Sequence, residues 1–413
     1  MVVGGGRWVL DGSLGRRTLL KGASGAALTA LVAACAPAAP TPGATTTAPP
    51  PTGAPKPTAP AATVQATPGA AAQSTPTAAS QATPAAAGQP TPGGVGQPTA
   101  AAGQPTAVSA ANAETVYVFN VGSKDVTLID ALARQTRETR PLGASVRWLS
   151  NEQSYWDGQL VWTYDFPDNK LQAIGIDPRQ VAVSRTIPEL GAGPGHSLML
   201  MPDKKTAAIN VAGDNVIAVI DVASGQIVRK VPTGKFPCDL HFTPDGRFAY
   251  TPERDQDTVS MFDTRTWELV KTVNFPQGSK PFMLRVSPDG KEVWVQTSQM
   301  NVNTVLSSED LSTLTTMQTG KGPVTNAWTP DGRYSLVANE GDTFASVFDA
   351  KTYKEVARLM IGQGGTNMGF TRDGSTGFMA VTGANSVAVI DMGKLSVVTQ
   401  LKAGTQPQGL IVV

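Results

Sequence analysis

The chain has 413 residues, 42 of them glycine and 32 proline, and its 33 basic and 32 acidic side chains nearly cancel. That balance excludes the broad basic face that nucleic-acid backbones require. With cysteine at positions 35 and 238 alone, a disulfide-stapled fold and a cysteine-based zinc site are excluded as well.

Residues 1–35 are laid out as an export signal. Arg16 and Arg17 stand just ahead of an uncharged, Ala/Gly-rich run from Gly22 to Ala34, which is short of the roughly twenty residues a membrane-spanning helix needs. The run ends in Leu31-Val32-Ala33-Ala34-Cys35. This resembles the lipobox of lipoprotein signal peptidase, and the resemblance implies that Cys35 is the lipidated first residue of the mature chain. The arginine pair resembles a twin-arginine signal, which implies folding before export and allows a cofactor to be loaded first.

Residues 36–113 hold sixteen of the prolines, one charged side chain, Lys56, and no aromatic. Such a segment cannot bury enough apolar surface to offset the entropy of ordering, so a disordered tether is expected. As a flexible coil it would reach on the order of 50 Å, holding the rest of the chain clear of the bilayer. Its Thr-Pro density fits O-glycosylation.

Residues 114–413 carry 28 basic and 31 acidic side chains and are long enough for one large core. Thr243-Pro244-Asp245-Gly246 recurs as Ser287-Pro288-Asp289-Gly290 and Thr329-Pro330-Asp331-Gly332, with weaker copies at Met201-Pro202-Asp203 and Arg372-Asp373-Gly374. Their aspartates lie 42, 44, 42 and 42 residues apart. Proline presets one turn position, Asp bonds its own backbone and Gly takes positive φ, so each copy predicts a hairpin turn. A second series in step with it is an apolar strand ending in Asp130, Asp177, Asp221, Asp263, Asp349 or Asp391. Ser307 stands where the missing member belongs.

Seven units of about 43 residues, each with four short strands, are the pattern of an all-β, seven-bladed β-propeller. Within one unit the strands are expected at 238–243, 247–251, 258–263 and 268–273, inner to outer. The segment opens on a second strand, Thr115 to Asn120, and closes on an inner one, Gln408 to Val413. The two ends are therefore expected to complete one blade.

Tyr117-Val118-Phe119-Asn120, the strand from Asn215 to Asp221 and the Pro-Asp-Gly turns resemble the YVTN-type propeller repeats of microbial surface proteins. The likeness is poor around 142–164 and 299–311. It implies a fold related to the haem-bearing propeller of nitrite reductase and no single activity.

Ligands are expected on the face made by interblade loops and second-to-third-strand turns. Aligned at the start of the inner strand, the units present Ser145, His196, Cys238, Phe282, Val324, Thr366 and Gln408. His196 and Cys238 thus share one channel mouth, where a metal would also need a carboxylate such as Asp239 or Asp214. His241 is expected between blades. Lys235, Lys280 and Lys321 fall in matching loops of successive units, a basic arc suited to an anionic ligand or a glycan carboxylate. There is no nucleophile elbow, phosphate loop or Cys-x-x-Cys-His haem attachment.

The expected function is a non-catalytic binding or interaction module without cofactor or metal. It is anchored by lipid on the outer side of the membrane and meets a protein, a glycan or a small anion. The alternative is an envelope enzyme, either a lactonase-like hydrolase or a redox protein with haem or metal at His196.

Overall fold

The computed structural model describes residues 114–149 and 153–413. The expected export signal with Arg16 and Arg17, the lipid site at Cys35 and the tether lie outside the described residues. Seven antiparallel sheets follow one another around a ring. Blade 1 combines β1 (Thr115–Asn120), β2 (Asp125–Asp130) and β3 (Gln135–Pro141) with the last strand of the chain, and blade 2 has β4 (Val161–Asp165), β5 (Lys170–Asp177) and β6 (Ala182–Ala192). Blade 3 is β7–β10 (Gly195–Leu200, Thr206–Val211, Val216–Asp221, Gln226–Pro232) and blade 4 is β11–β14 (His241–Phe242, Phe248–Glu253, Thr258–Asp263, Glu268–Asn274). Blade 5 is β15–β18 (Pro281–Val286, Glu292–Thr297, Val302–Ser307, Thr313–Gln318) and blade 6 is β19–β22 (Pro323–Trp328, Tyr334–Asn339, Phe344–Asp349, Glu355–Met360). Blade 7 is β23–β26 (Gly365–Phe370, Thr376–Val381, Ser386–Asp391, Ser396–Lys402), and β27 (Pro407–Val412) returns to blade 1. The molecule is a seven-bladed β-propeller.

Both turn series do what their residues dictate. In each Pro-Asp-Gly turn the preceding hydroxyl donates to the Asp carboxylate and accepts the N–H five residues after itself, as when Thr243 Oγ1 bonds Asp245 at 2.5 Å and Phe248 N at 3.1 Å. Gly246 has φ +71°, and a Cβ there would also stand 2.7 Å from Pro202 of the preceding blade. At the far end of the third strand, Asp221 and Asp263 accept N–H bonds from Ser224 and Arg265. Ser307 accepts a longer one, 3.3 Å, from Glu309 N.

Each blade is a thin sheet with two apolar faces, so its core is made with its neighbours. Tyr250, Val259 and Met261 of blade 4 pack with Leu284, Val293 and Val295 of blade 5. Val116, Val118 and Ile129 of blade 1 pack with Phe378, Val387 and Val389 of blade 7, and Leu410 of β27 joins them. Ring closure is thus both a ladder, with Gly409 opposite Phe119 and Ile411 opposite Tyr117, and a buried apolar seam.

Two details depart from four even strands per unit. In blade 4 the inner ladder is only His241–Phe242, preceded by an isolated Pro237–Glu253 bridge. In blade 2 the described residues before β4 form no ladder: Ser145 N bonds the Asp165 side chain instead of a strand, and Trp148 sits at φ +51°. A side chain in that left-handed region turns the backbone out of register.

Every outer strand slips register at the same place, leaving one residue unpaired: Arg137, Ser184, Val228, Val270, Leu314, Val356 and Val398. The five aliphatic ones are 42–60% exposed. Bulges of this kind bend an edge strand and increase its twist.

Candidate functional site

Inner strands run from the interblade loops to the Pro-Asp-Gly turns, so their first residues surround one end of the central channel. In every blade but the second, the inner ladder breaks register there. Gln408 is skipped in blade 1, Phe282 and Met283 in blade 5, Val324 in blade 6, and Thr366 with Asn367 in blade 7. Blade 3 shifts between His196 and Met199, and in blade 4 the gap between bridge and ladder holds Cys238, Asp239 and Leu240. A bulge re-aims the side chain it carries. Of the positions aligned from the sequence, Cys238, Phe282, Val324, Thr366 and Gln408 are among those the breaks leave unpaired, while His196 stays paired with Asn210 just before its break.

The result is a filled mouth. His196 of blade 3 lies 5.7 Å, centroid to centroid, from the ring of Phe282 in blade 5, and Trp148 of blade 2 lies 6.2 Å from the imidazole and 5.6 Å from Phe282. Blades 3 and 5 are not neighbours, so these rings meet across the channel. His196 is 4% exposed. Burial pushes its pKa down to about 4, against the opposing charge of Asp239 and a hydrogen bond to the Cys238 carbonyl; Arg147 and Arg254 lower it further. The imidazole is neutral at pH 7.

His196 and Cys238 are therefore brought together, through a backbone carbonyl and with the thiol wholly buried. Asp239 is engaged inside the protein. Its carboxylate, also fully buried, accepts N–H bonds from Leu240 and Leu284 and pairs with Arg285 Nη1 at 2.6 Å. His241 lies between blades, its Nδ1 accepting Val286 N at 3.3 Å. Asp239 and His241 of blade 4 thereby cap successive amides on the open edge of β15, amides that would otherwise line the channel unbonded. Asp214 stands on another loop, 3.9 Å from Lys230. Among the described residues no three His, Cys, Asp or Glu side chains converge as a metal would need.

Lys235, Lys280 and Lys321 lie on matching interblade loops. Lys280 pairs with Asp255 at 3.2 Å, while Lys235 and Lys321 are exposed. What orders these loops was not read from the sequence. The turn between second and third strands places Asn215, Asp257, Asn301 and Asn385 in the left-handed region. Their side chains accept the N–H groups of Phe236, Lys280, Gly322 and Gln406 at 2.8–2.9 Å. Asn and Asp tolerate that backbone and carry the acceptor the loop needs. An Asn or Asp directly before the third strand in five of the seven blades, with Lys124 and Thr343 in the other two, was the available signal.

Two cavities lie away from this mouth. One of about 360 Å³ is lined by Tyr155, Trp156, Phe370, Arg372 and the Ile411–Val413 end of the ring closure, at the Pro-Asp-Gly end of the channel. Glu114 on its wall accepts Arg372 N at 2.9 Å. A more open one of about 650 Å³ lies between blades 3 and 4, beside Trp267 and Arg229.

No family model matches the chain. Over 207 residues it is 24% identical to YncE of Salmonella typhimurium, itself uncharacterized, covering 46% of this chain and 53% of that protein. The chain thus spans about half the length of the curated relative it matches. A candidate 6-phosphogluconolactonase from Bacteroides fragilis superposes with a TM-score of 0.60 at 17% identity, covering 74% of this chain and 99% of that one. The chain has the fold of these propellers. Hydrazine synthase of Kuenenia stuttgartiensis (TM-score 0.55, 17% identity, 65% and 90% coverage) and the dihydro-heme d1 dehydrogenase NirN (0.55, 16%, 72% and 74%) share it too. At such identities the likeness concerns architecture, and the propeller's chemistry has to be argued from its own mouth.

Proposed function

We propose that this propeller is a non-catalytic binding module, carried to the outer side of the membrane by the Arg16-Arg17 signal and held there through a lipid on Cys35. The observation that carries the reading is the meeting of Trp148, His196 and Phe282 across the channel. Where a catalytic propeller would offer a reactive group, this chain places core. The one imidazole there is neutral, buried and bonded to a carbonyl, and the carboxylate beneath is committed to Arg285. These donors do not suit a haem or a metal without repacking. What faces solvent is the rim, with Lys235 and Lys321 on it, and a rigid rim suits recognition of a glycan, a small anion or a protein.

The test uses the full chain expressed with its own leader. Labelling with an alkyne fatty acid is expected to mark the wild type and not Cys35→Ala. The purified protein is expected to be colourless, to lack stoichiometric metal and to turn over no lactone. A haem spectrum, one equivalent of metal, or lactone hydrolysis lost in His196→Ala overturns the reading.

A further inference from the structure

We propose that the cavity of about 360 Å³ at the Pro-Asp-Gly end of the channel binds a free aromatic α-amino acid, its carboxylate on Arg372, its ammonium on Glu114 and its ring between Trp156 and Pro330. The site lies at the opposite end of the channel from the rim of Lys235 and Lys321 and goes beyond the reading above.

The cavity exists because a ring of turns has a gap. The turns join inner to second strands, and Pro202, Pro244 and Pro330 lie against the turn glycine of the next blade: a Cβ at Gly246, Gly290 or Gly374 would stand 2.7, 2.9 and 3.4 Å from them. Blade 1 has no such turn. Its inner and second strands are β27 and β1, which pair as neighbours without a hairpin to join them. The turns on either side of the gap carry other residues at the proline position. Blade 7 has Arg372, and blade 2 has Trp156, followed by Asp157, which accepts Gln159 N at 2.7 Å, and Gly158 at φ +104°. Both line the cavity, with Ile411 and Val412 of β27 between them.

Side chains with nothing else to do face this gap. Arg372 is exposed, and its guanidinium has no hydrogen bond or ion pair among the described residues. Glu114 is half-buried; one carboxylate oxygen accepts Arg372 N at 2.9 Å and the other has no partner among the described residues. The carboxylate is thus fixed on the backbone of the residue that carries the cation, and the two charges stand side by side without pairing. Trp156 and Val412 are half-buried and Pro330 is exposed, so apolar surface is open to the cavity from blades 2, 1 and 6.

A cation and an anion held at adjacent points beside an aromatic wall match the head group and side chain of a zwitterion. An aromatic carboxylate without an ammonium meets Glu114 as a like charge, and an aromatic amine meets Arg372 in the same way. Glycine leaves the wall unfilled. The volume is at the small end of the roughly 300–1,000 Å³ usual for ligand pockets, which suits one amino acid better than a peptide.

Isothermal titration of the full chain with L-phenylalanine, 3-phenylpropanoate, phenethylamine and glycine tests this. Phenylalanine is expected to bind with a Kd of about 1 mM or tighter, and each other probe about tenfold or more weakly. Arg372→Gln, checked for unchanged Tm, should weaken phenylalanine by about tenfold or more. Glu114→Gln keeps an acceptor for Arg372 N and removes the charge, so phenylalanine should lose its advantage over 3-phenylpropanoate. Lys291→Gln, whose side chain is 80% exposed on the same face and off the cavity, should leave binding unchanged. Absence of phenylalanine binding at about 20 mM, about twentyfold the expected Kd, overturns the assignment. So do equal binding of any comparison probe, undiminished binding by Arg372→Gln, or a Glu114→Gln variant that keeps the wild-type preference. Lactone turnover would sink the non-catalytic reading and leave this site standing; an inactive, lipid-anchored protein that ignores phenylalanine would sink the site alone.

Discussion

Protonating His196 is the most direct probe of the closed mouth. In the folded chain its pKa is pushed down to about 4, while in the unfolded chain it returns to the ordinary 6.5. A depressed folded value means the unfolded state binds the proton first, so stability is full above pH 6.5 and is lost as pH falls toward 4. Linkage gives a loss of about 0.8 kcal/mol at pH 6 and about 2 kcal/mol at pH 5, relative to pH 8, approaching about 3.4 kcal/mol well below pH 4. The groups facing the imidazole are the rings of Trp148 and Phe282, the Cys238 carbonyl, and the charges of Asp239, Arg147 and Arg254. His196→Gln keeps a donor for the carbonyl and removes the titration. Denaturant unfolding of wild type and variant, followed by tryptophan fluorescence at pH 8, 6 and 5, cancels the carboxylates common to both. Their stability difference should shift by about 2 kcal/mol between pH 8 and pH 5. Parallel curves would mean that water reaches the imidazole, and the filled mouth would be wrong.

Two further outcomes bear on the frame around that mouth. Deleting Gly409–Val413 removes buried Leu410 and Ile411, side chains worth about 2–5 kcal/mol each when truncated, so cooperative melting should be lost or its midpoint should drop by well over about 10 °C; a truncated chain that melts like the full one contradicts ring closure by β27. Arg285→Met strands the buried Asp239 carboxylate and should cost about 3–5 kcal/mol at pH 7, with Asp239→Asn in the same chain recovering part of it; equal stability of wild type and Arg285→Met in guanidinium would show the pair to be solvated.

The number of blades and the seam were legible because they rest on local chemistry repeated many times. Asp245, Asp289 and Asp331 each need only their own turn, and the incomplete units at the two ends of 114–413, three strands at the start and one at the close, force the ends together. The site was legible in position and not in content. The alignment found His196, Cys238 and Phe282 at one mouth, but whether they face solvent depends on contact across the channel, between blades far apart in sequence. Trp148 is the clearest case: a residue in an irregular blade with a left-handed backbone has no repeat to align it. Asp239 read as a spare carboxylate because its partner, Arg285, is one blade away.

The displaced residue on each outermost strand has a consequence for how such molecules live together. A straight outer edge would let one propeller extend its sheet into another. Seven kinks, five of them at an exposed aliphatic residue, interrupt such a junction within a few residues.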